Sequence, residues 1–345
     1  MQTIHVSPVK LNLEHIKNIT MNNVILRTQK LTKTFVSGRG KAQRTVEAVR
    51  GVDLEVYEGE IFGFLGPNGA GKTTTLNMVT TLLAPSSGQA TVVGNDLLKN
   101  PIQVRQHIGY VSQAGGSDTA ANAYENLILQ ARLYGIDLEK ATQRAKDLVE
   151  RFQMSEFADR LASTYSGGQR RRLDLALGIV HHPPLVFLDE PTIGLDPQSR
   201  AYFWDEIIRL KKDGMTIFVT THYLDEADNL CDRLAIIDHG HIVAVGTGQE
   251  LKKQIGAESI VVGFQNEKVL NMAKQSLENQ VFVQKIYTEE NKLHLFVVEG
   301  EKLLAEVLRV LDKSQVVVQT IELAKPSLDD VFLQKTGRSL REQGE

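Results

Sequence analysis

Residues 60–75 read "EIFGFLGPNGAGKTTT", and this stretch decides the fold of the larger part of the chain. Its first half is a continuous apolar run, which is typical of a strand buried on both faces of a sheet. Its second half places Gly66, Gly71, Lys72 and Thr73 at the spacing of a phosphate-binding loop between a strand and a helix. The stretch therefore predicts an α/β domain that binds the phosphates of a nucleotide.

Each residue type in this loop has a chemical reason. Glycines let the backbone N–H groups approach the phosphates, and the helix N-terminus adds the positive end of its dipole. Lys72 supplies a mobile cation, and the Thr73 hydroxyl is a ligand for Mg²⁺. We expect a nucleoside triphosphate to contact Gly66, Pro67, Asn68, Gly69, Ala70, Gly71, Lys72, Thr73 and Thr74.

Further buried runs flank this loop along the chain. "IGYVSQ", "PLVFLDEP" and "MTIFVTTH" alternate with helical segments, as in a doubly wound parallel sheet, and residues 119–180 read as mostly helical. Upstream, "VILRTQKLTKTF" and "RTVEAVRGVDLEVYEGE" predict a small antiparallel sheet, and His239 and Gly240 mark a hairpin. The predicted fold class is thus α/β, with a mixed sheet core, an antiparallel β subdomain and an α-helical subdomain.

The pattern changes after Gly256. Strand, helix, strand, strand, helix and strand follow one another, which is the order of an α+β ferredoxin-like unit. A final short helix in "PSLDDVFLQKTGR" is capped by Ser327. We therefore divide the chain into an N-terminal extension, a nucleotide-binding domain and a ferredoxin-like accessory domain, at residues 1–22, 23–250 and 257–345 respectively.

Two carboxylates and a histidine follow the buried strands. Asp189 and Glu190 end "PLVFLDEP", and side chains alternate along a strand, so we expect the two to point in different directions. We assign Asp189 to Mg²⁺ and Glu190 to positioning or deprotonating the attacking water. His222 follows "MTIFVTT" and is expected at the same sheet edge, where it can contact the γ-phosphate.

A second candidate phosphate site lies in "STYSGGQRRRL", at residues 163–173. Ser166 is a good helix N-cap, and the glycines after it bare the backbone to a ligand. Arg170–Arg172 then crowd the first helical turn, where the helix dipole disfavours positive charge. Either an anion relieves that conflict, or the arginines extend into solvent at small cost, and the charge pattern alone leaves both alternatives open.

The motifs "GPNGAGKTT", "YSGGQ", "LVFLDEP", "GLD" and "TH", in this order and spacing, resemble the ATP-binding subunits of ABC transporters over about residues 24–246. The resemblance implies that ATP is the nucleotide and that two such domains dimerise head to tail. It also implies that the signature loop of one domain, Ser166, Gly167, Gly168 and Gln169, closes over ATP held by the other. A homodimer is possible because one chain carries every motif.

The resemblance also implies roles for single residues. Gln113 matches the glutamine that touches Mg²⁺ and the transmembrane partner, and is counted with Lys72 among the catalytic residues. Asp196 matches the loop at the dimer seam, and Phe35 is the candidate for stacking on adenine. Two departures from the family pattern are Tyr165 in place of leucine and Gly194 in place of alanine.

Within the family, "LGPNGAGKTTT", "GLDP" and the tail "PSLDDVFLQKTGR" are similar to the daunorubicin-resistance type of exporter ATPase. That similarity implies a separately encoded membrane permease and export of a drug or lipid-like molecule. The expected location is cytoplasmic, peripheral on the inner face of the membrane, because no run approaches the roughly 18 apolar residues of a span.

Composition and motif order weigh against other classes. A net charge of -3 argues against nucleic acid as a partner, and the single cysteine, Cys231, excludes an intrachain disulfide. The alternative function is a non-transport ABC ATPase acting on ribosomes or DNA. Its usual features, a second ATPase domain or a long coiled-coil insertion, do not occur in the sequence. A nucleotide sensor without turnover is disfavoured by Glu190 and His222.

Overall fold

The computed structural model describes residues 23–37, 44–255, 258–297, 299–324 and 327–337. The predicted N-terminal extension, the loop between the first two strands and the last eight residues lie outside the described residues. The division of the chain into domains stays a prediction; the architecture below concerns the described residues alone.

The predicted strands occur in the predicted order, and β4 (Ser87–Val92) and β5 (Asn95–Asp96), which the sequence patterns do not predict, complete the antiparallel sheet. The strands are β1 Val24–Ser37, β2 Arg44–Tyr57, β3 Ile61–Leu65, β4 Ser87–Val92, β5 Asn95–Asp96, β6 Ile108–Val111, β7 Leu185–Asp189, β8 Thr216–Thr221, β9 Arg233–Asp238, β10 His241–Gly246, β11 Glu258–Gly263, β12 Val283–Glu289, β13 Lys292–Val297 and β14 Thr320–Ala324. The α-helices are α1 Lys72–Val79, α2 Pro101–His107, α3 Ala123–Leu133, α4 Leu138–Arg151, α5 Gly167–Ile179, α6 Pro197–Lys212, α7 Leu224–Leu230, α8 Gly248–Ile255, α9 Glu267–Leu277, α10 Gly300–Lys313 and α11 Leu328–Thr336.

The central sheet has the strand order β10–β9–β3–β8–β7–β6. Its pairs are parallel except for the β9–β10 hairpin, which confirms the predicted mixed sheet. Side chains alternate between two apolar layers: Ile61 and Ile217 enter one core, whereas Phe62 and Phe218 stack at 5.7 Å in the other. Burial on both faces explains why these strands read as continuous apolar runs.

Helices α3, α4, α5 and α6 supply the first of these cores, and the first three lie within residues 119–180, which the sequence predicts to be mostly helical. Helix α3 begins at a capping box in which the Asn122 side chain accepts from the Glu125 N–H. Helix α5 approaches β6 so closely that a Cβ at Gly109 would lie 2.2 Å from the Gly178 carbonyl oxygen. This close packing fixes α5 against the central sheet.

The antiparallel sheet, in the order β2–β1–β4–β5, covers the opposite face. The β9–β10 hairpin turns at His239 and Gly240, both with positive φ, as the sequence predicts. The Gly240 N–H donates to the Ala70 carbonyl at 2.9 Å, and the Arg50 N–H donates to the Gly240 carbonyl at 2.8 Å. The hairpin turn therefore joins the antiparallel sheet to the loop before α1.

The third sheet has the order β12–β13–β11–β14, and all its pairs are antiparallel. Helices α9 and α10 pack on one face around a core that includes Ile260, Leu270, Leu295 and Leu311. This arrangement is the predicted ferredoxin-like βαββαβ unit.

Helix α11 packs away from the third sheet's own core. Ser327 caps it, as predicted, and Phe332 is fully buried in its middle. It lies in a separate apolar cluster between the two parts of the chain: Leu65, Ala227, Leu234, Ile236, Leu251, Phe296, Leu328, Val331 and Phe332. The last helix is therefore a structural component of the nucleotide-binding part, which sequence patterning does not predict.

Among the described residues, no helix is both long enough and apolar enough to cross a lipid bilayer.

We expect Phe332→Ala to destabilise the nucleotide-binding part, because it opens a cavity against β9 and α8. Loss of a buried phenylalanine costs about 3–5 kcal/mol. Trp204 is the only tryptophan and lies in the helical core, so its fluorescence during urea unfolding reports on this part. The control is Met272→Ala, at a side chain 45% exposed, with a cost within about 0.5 kcal/mol. Equal transition midpoints in the two variants would contradict the packing role of α11.

Candidate functional site

The phosphate-binding loop connects β3 to α1 and depends on glycine at defined points. Gly69 and Gly71 have φ values of +79° and +108°, a backbone conformation that residues other than glycine rarely adopt. A Cβ at Gly66 would lie 2.3 Å from the Ile237 carbonyl oxygen, and one at Gly71 would lie 2.6 Å from that of Ala48. Neighbouring backbone therefore leaves no space for a larger residue at Gly66 or Gly71, and Pro67, Asn68, Gly69 and Gly71 of the loop line a cavity.

That cavity has a volume of about 330 Å³. Its lining residues come from the loop and the first turn of α1, from β2, and from the segments that follow β6 and β7: Ala48, Pro67, Asn68, Gly69, Gly71, Lys72, Thr73, Thr74, Gln113 and Glu190. The structure thus brings together most of the nucleotide-site residues that the sequence predicts. Ala48 on β2 is the addition, and it belongs to no motif in the sequence.

Lys72 is buried at the base of the loop, with 4% of its side chain exposed. Its Nζ donates to the carbonyl oxygens of Gly66 at 2.7 Å and Pro67 at 3.1 Å. The same nitrogen lies 3.1 Å from Glu190 Oε1. The ammonium group is thus held inside the loop by one carboxylate and two carbonyls.

Asp189 ends β7 beside the first turn of α1. Its Oδ1 accepts hydrogen bonds from Thr220 Oγ1 at 2.6 Å and from Thr73 Oγ1 at 3.3 Å. Burial raises the pKa of the Asp189 carboxyl, although these two hydrogen bonds oppose the shift. A hydroxyl and a carboxylate on adjacent elements form the hard-oxygen donor set that Mg²⁺ prefers.

Glu190 lies one residue beyond the strand, with a φ of +42°. Its Oε1 contacts Lys72, and its Oε2 lies 3.2 Å from Nδ1 of His222. Burial raises the pKa of Glu190, but the hydrogen bond from His222 and the charge of Lys72 outweigh it, so the pKa is lowered. The two carboxylates therefore have different partners: Asp189 contacts Thr73 and Thr220, whereas Glu190 contacts Lys72 and His222.

The second candidate phosphate site forms the start of α5. Ser166 is its N-cap: its side chain accepts from the Gln169 N–H at 3.3 Å, and the Gln169 side chain accepts from the Ser166 N–H at 3.0 Å. Ser166 and Gly167 are exposed, and none of the four motif residues lines the cavity beside Lys72. Within one chain, the two candidate phosphate sites are therefore separate.

The three arginines after this motif do not converge on the helix end. Arg170 Nη2 donates to the Ala162 carbonyl at 3.0 Å, and the Arg172 guanidinium stacks 4.0 Å from the Tyr202 ring centroid. Arg171 is buried, with 7% exposed, and bonds to backbone carbonyls on neighbouring loops. The charge pattern leaves two alternatives for these arginines, a bound anion or extension into solvent. Arg171 fits neither, because it is buried and bonded to backbone carbonyls.

Asp196 caps α6, accepting from the Ser199 N–H at 2.9 Å and from Ser199 Oγ at 2.6 Å. The same hydroxyl is close to the signature motif, because a Cβ at Gly168 would lie 2.7 Å from it. Asp196 is exposed. The two motifs that the family resemblance assigns to the dimer seam are therefore neighbours at the surface of one chain.

The two departures from the family pattern have local explanations. Tyr165 packs edge-on against Phe157 at 4.9 Å, and only 8% of it is exposed, so it serves as a core residue. Gly194 has a φ of +74°, a conformation that suits glycine better than alanine. Both residues fit their positions without altering the phosphate-binding residues.

Phe35, the candidate for adenine stacking, does not line the cavity. It is 42% exposed on β1, with Lys33 Nζ 5.3 Å from its ring centroid. Its partner on β2 is Val46, two residues before Ala48, so the ring lies along the strand pair that borders the cavity. The stacking role stays a prediction, as do the catalytic and metal-binding roles of the other site residues.

Sequence reasoning missed Glu226, which connects two segments of the site. It is buried, and its carboxylate accepts from Thr192 Oγ1 at 2.7 Å and from Thr221 Oγ1 at 3.0 Å. Arg200 Nε lies 3.6 Å away. No spacing identifies this residue, because acidic side chains are ordinary in the first turn of a helix.

Comparison with known proteins agrees with this geometry. The family described as "ABC transporter" matches residues 49–193, and the family described as "ATP-binding protein DrrA1-3-like, C-terminal domain" matches residues 246–336. The solved dimeric ATP-binding cassette MJ0796, bound to ADP and phosphate, is similar with a TM-score of 0.59 and 25% identity. That similarity covers 64% of this chain and 98% of the cassette.

Two curated relatives extend over both parts of the chain. The daunorubicin/doxorubicin resistance ATP-binding protein DrrA of Streptomyces peucetius is 40% identical over 313 residues, covering 90% of this chain and 94% of the relative. The linearmycin resistance ATP-binding protein LnrL of Bacillus subtilis is 35% identical over 307 residues, covering 88% of this chain and 97% of the relative. With its phosphate-binding loop, signature motif and α11-containing C-terminal unit, the chain belongs to the ABC transporter ATP-binding proteins of the daunorubicin-resistance type, which are ATPases.

Proposed function

We propose that two copies of this chain hold two MgATP molecules between them, head to tail, and drive a separately encoded membrane permease. The observation that carries the proposal is the separation of the two phosphate sites. The motif Ser166–Gln169 has an exposed, capped helix start with bare backbone, yet it lies outside the cavity that contains Lys72. A second copy would bring such a motif to each cavity.

Thr73 and Asp189 would hold Mg²⁺, and Gln113 lines the same cavity. When bound, Mg²⁺ supplies positive charge that offsets the charge of the phosphate oxygens. Lys72 has the reach to donate to the same oxygens, in exchange for its present contacts with carbonyls and Glu190. The protein residues thus provide donors on two sides of the transferred phosphoryl group.

Glu190 serves as the base or water-positioning residue in this proposal. Its lowered pKa keeps it ionised near neutral pH, so it can accept a hydrogen bond from the attacking water. Phosphate oxygens compete for the Lys72 ammonium, which frees Glu190 Oε1 for that water. His222 stays 3.2 Å from Oε2 and fixes the direction of the carboxylate.

The permease interface is proposed at a groove between α2, the end of α3 and α4. The groove has a volume of about 790 Å³, and Gln130 and Leu133 of α3 are among its lining residues. Leu133 and Ile102 on its rim are 73% and 61% exposed. Arg105 and Arg144 line it with no carboxylate, which favours an amphipathic permease segment that carries an acidic side chain.

His181 forms part of the groove floor, where its ring stacks on Tyr134 at 3.6 Å. Burial lowers the pKa of His181 to about 4, so the ring is neutral at physiological pH. The two arginines therefore carry the fixed charge of the groove.

Export of a drug or lipid-like molecule is the proposed transport function, since relatives at 35–40% identity are named for resistance to daunorubicin, doxorubicin and linearmycin. The proposed location is the cytoplasmic face of the cell membrane, where the permease would hold the chain. The permease would provide the path for the transported molecule.

Co-purification from the native host tests the transport proposal. Capture of an integral membrane protein is expected, and Leu133→Asp should weaken that capture at least about tenfold while ATP binding is unchanged, because a carboxylate replaces an exposed apolar contact. Val317→Asp, at a residue 76% exposed in the C-terminal unit, is the control. Capture of ribosomes or DNA, without a membrane protein, would replace the proposal with the non-transport alternative.

We expect Glu190→Gln to retain ATP binding and to trap the ATP-bound dimer. Hydrolysis should fall by about a hundredfold or more, because the amide cannot accept the proton of water. Light scattering measures the dimer, and release of radiolabelled phosphate measures hydrolysis. Glu206→Gln removes another buried carboxylate, paired with Arg209 on α6, and serves as the control. A wild-type rate in Glu190→Gln would refute the role of Glu190.

Ser166→Arg should abolish ATP-dependent dimerisation while the monomer still binds nucleotide, because the change blocks the motif but not the cavity. The lost cap costs about 1 kcal/mol, so thermal unfolding is measured alongside. Ser163→Arg, at an exposed serine before the motif, is the matched control. Dimerisation of Ser166→Arg at wild-type affinity would show that the signature motif does not complete a site on the second copy.

A further inference from the structure

The backbone of Glu190 adopts a conformation that needs external support. A φ of +42° is in the left-handed region, which costs a non-glycine residue on the order of 1–3 kcal/mol. On one side the Glu190 N–H donates to Thr220, at 2.9 Å to Oγ1 and 3.2 Å to the carbonyl oxygen. Such a conformation persists only where surrounding contacts hold it, so the remaining contacts of this turn are informative.

The guanidinium of Arg171 provides contacts on both sides of Glu190. Nη2 lies 3.4 Å from the Asp189 carbonyl oxygen, and Nε donates to the Pro191 carbonyl oxygen at 2.7 Å. Nη1 donates to the Ser112 carbonyl oxygen at 2.7 Å, at the end of β6. One buried side chain therefore bonds the residue before Glu190, the residue after it and the segment that leads into Gln113.

Arginine suits this position because its planar fork presents donors in three directions. A lysine ammonium has a shorter reach and cannot span carbonyls on both sides of a turn. Burial lowers the pKa of Arg171, with the charges of Asp174 and Asp189 opposing the shift. A buried charge with carbonyl partners is costly, and a residue that served stability alone could be apolar at this position.

We propose that Arg171 is a positioning residue for ATP hydrolysis: it holds the left-handed turn that aims Glu190 at the nucleotide. The proposal rests on the proposed role of Glu190 as base. Arg171 belongs to α5, the helix that begins at Ser166. The aim of Glu190 is therefore fixed to the same rigid helix that presents the signature motif to the second copy.

The test uses the full-length chain with single-turnover release of radiolabelled phosphate. Arg171→Met should lower the hydrolysis rate between about tenfold and about a hundredfold, as for a misplaced catalytic group, with ATP affinity changed less than about twofold. Arg171→Lys should give an intermediate rate, and it keeps the proposal testable if the methionine variant fails to fold. Arg172→Met is the matched control, since Arg172 lies on the same helix but contacts Tyr202 and the Gln153 carbonyl.

A double variant separates positioning from general destabilisation. If Arg171 acts through Glu190, Arg171→Met combined with Glu190→Gln should be no slower than Glu190→Gln alone. Multiplied defects, or wild-type rates in both Arg171 variants, would overturn the proposal. If Glu190→Gln itself hydrolyses normally, the role of Glu190 fails first. If Glu190→Gln is inactive while the Arg171 variants are normal, only the positioning role fails.

Discussion

Parallel pairing of β3, β8, β7 and β6 is the constraint on which the rest of this structure depends. Parallel strands end at the same edge of a sheet, so the residues that follow them, although distant in sequence, lie at one site. Lys72 follows β3, Gln113 follows β6, Glu190 follows β7 and His222 follows β8. Both apolar cores, and the helices that build them, serve to keep these four strand ends in register.

The pKa values of two adjacent carboxylates at this site are shifted in opposite directions. Burial raises the pKa of Asp189, whereas contacts with His222 and Lys72 lower that of Glu190. Neutral hydroxyl partners surround the first carboxylate, and nitrogen partners surround the second. The backbone also differs at this point: Asp189 is the last residue of β7, whereas Glu190 has a positive φ and its carboxylate lies beside Lys72.

Much of the fold and of the site could be predicted from local sequence rules. Apolar runs predict the central strands, glycine spacing predicts the loop that cradles Lys72, and N-cap chemistry predicts the helix starts at Ser166 and Ser327. The contacts of the Arg171 side chain could not be predicted. Its partners are backbone carbonyls, which occur at every residue and leave no signal in the sequence. The packing partner of α11 could not be predicted either, since the apolar pattern of a helix does not specify which part of the protein that helix covers.

The location of α11 also has a consequence for the order in which the protein is made. Residues 328–336 are synthesised after every strand of the central sheet, yet they cover Leu234, Ile236 and Leu251. A chain still emerging from the ribosome therefore exposes an apolar face on an otherwise complete nucleotide-binding part. That face is covered only after α11 has been synthesised, so products truncated before α11 keep a surface that chaperones and proteases recognise.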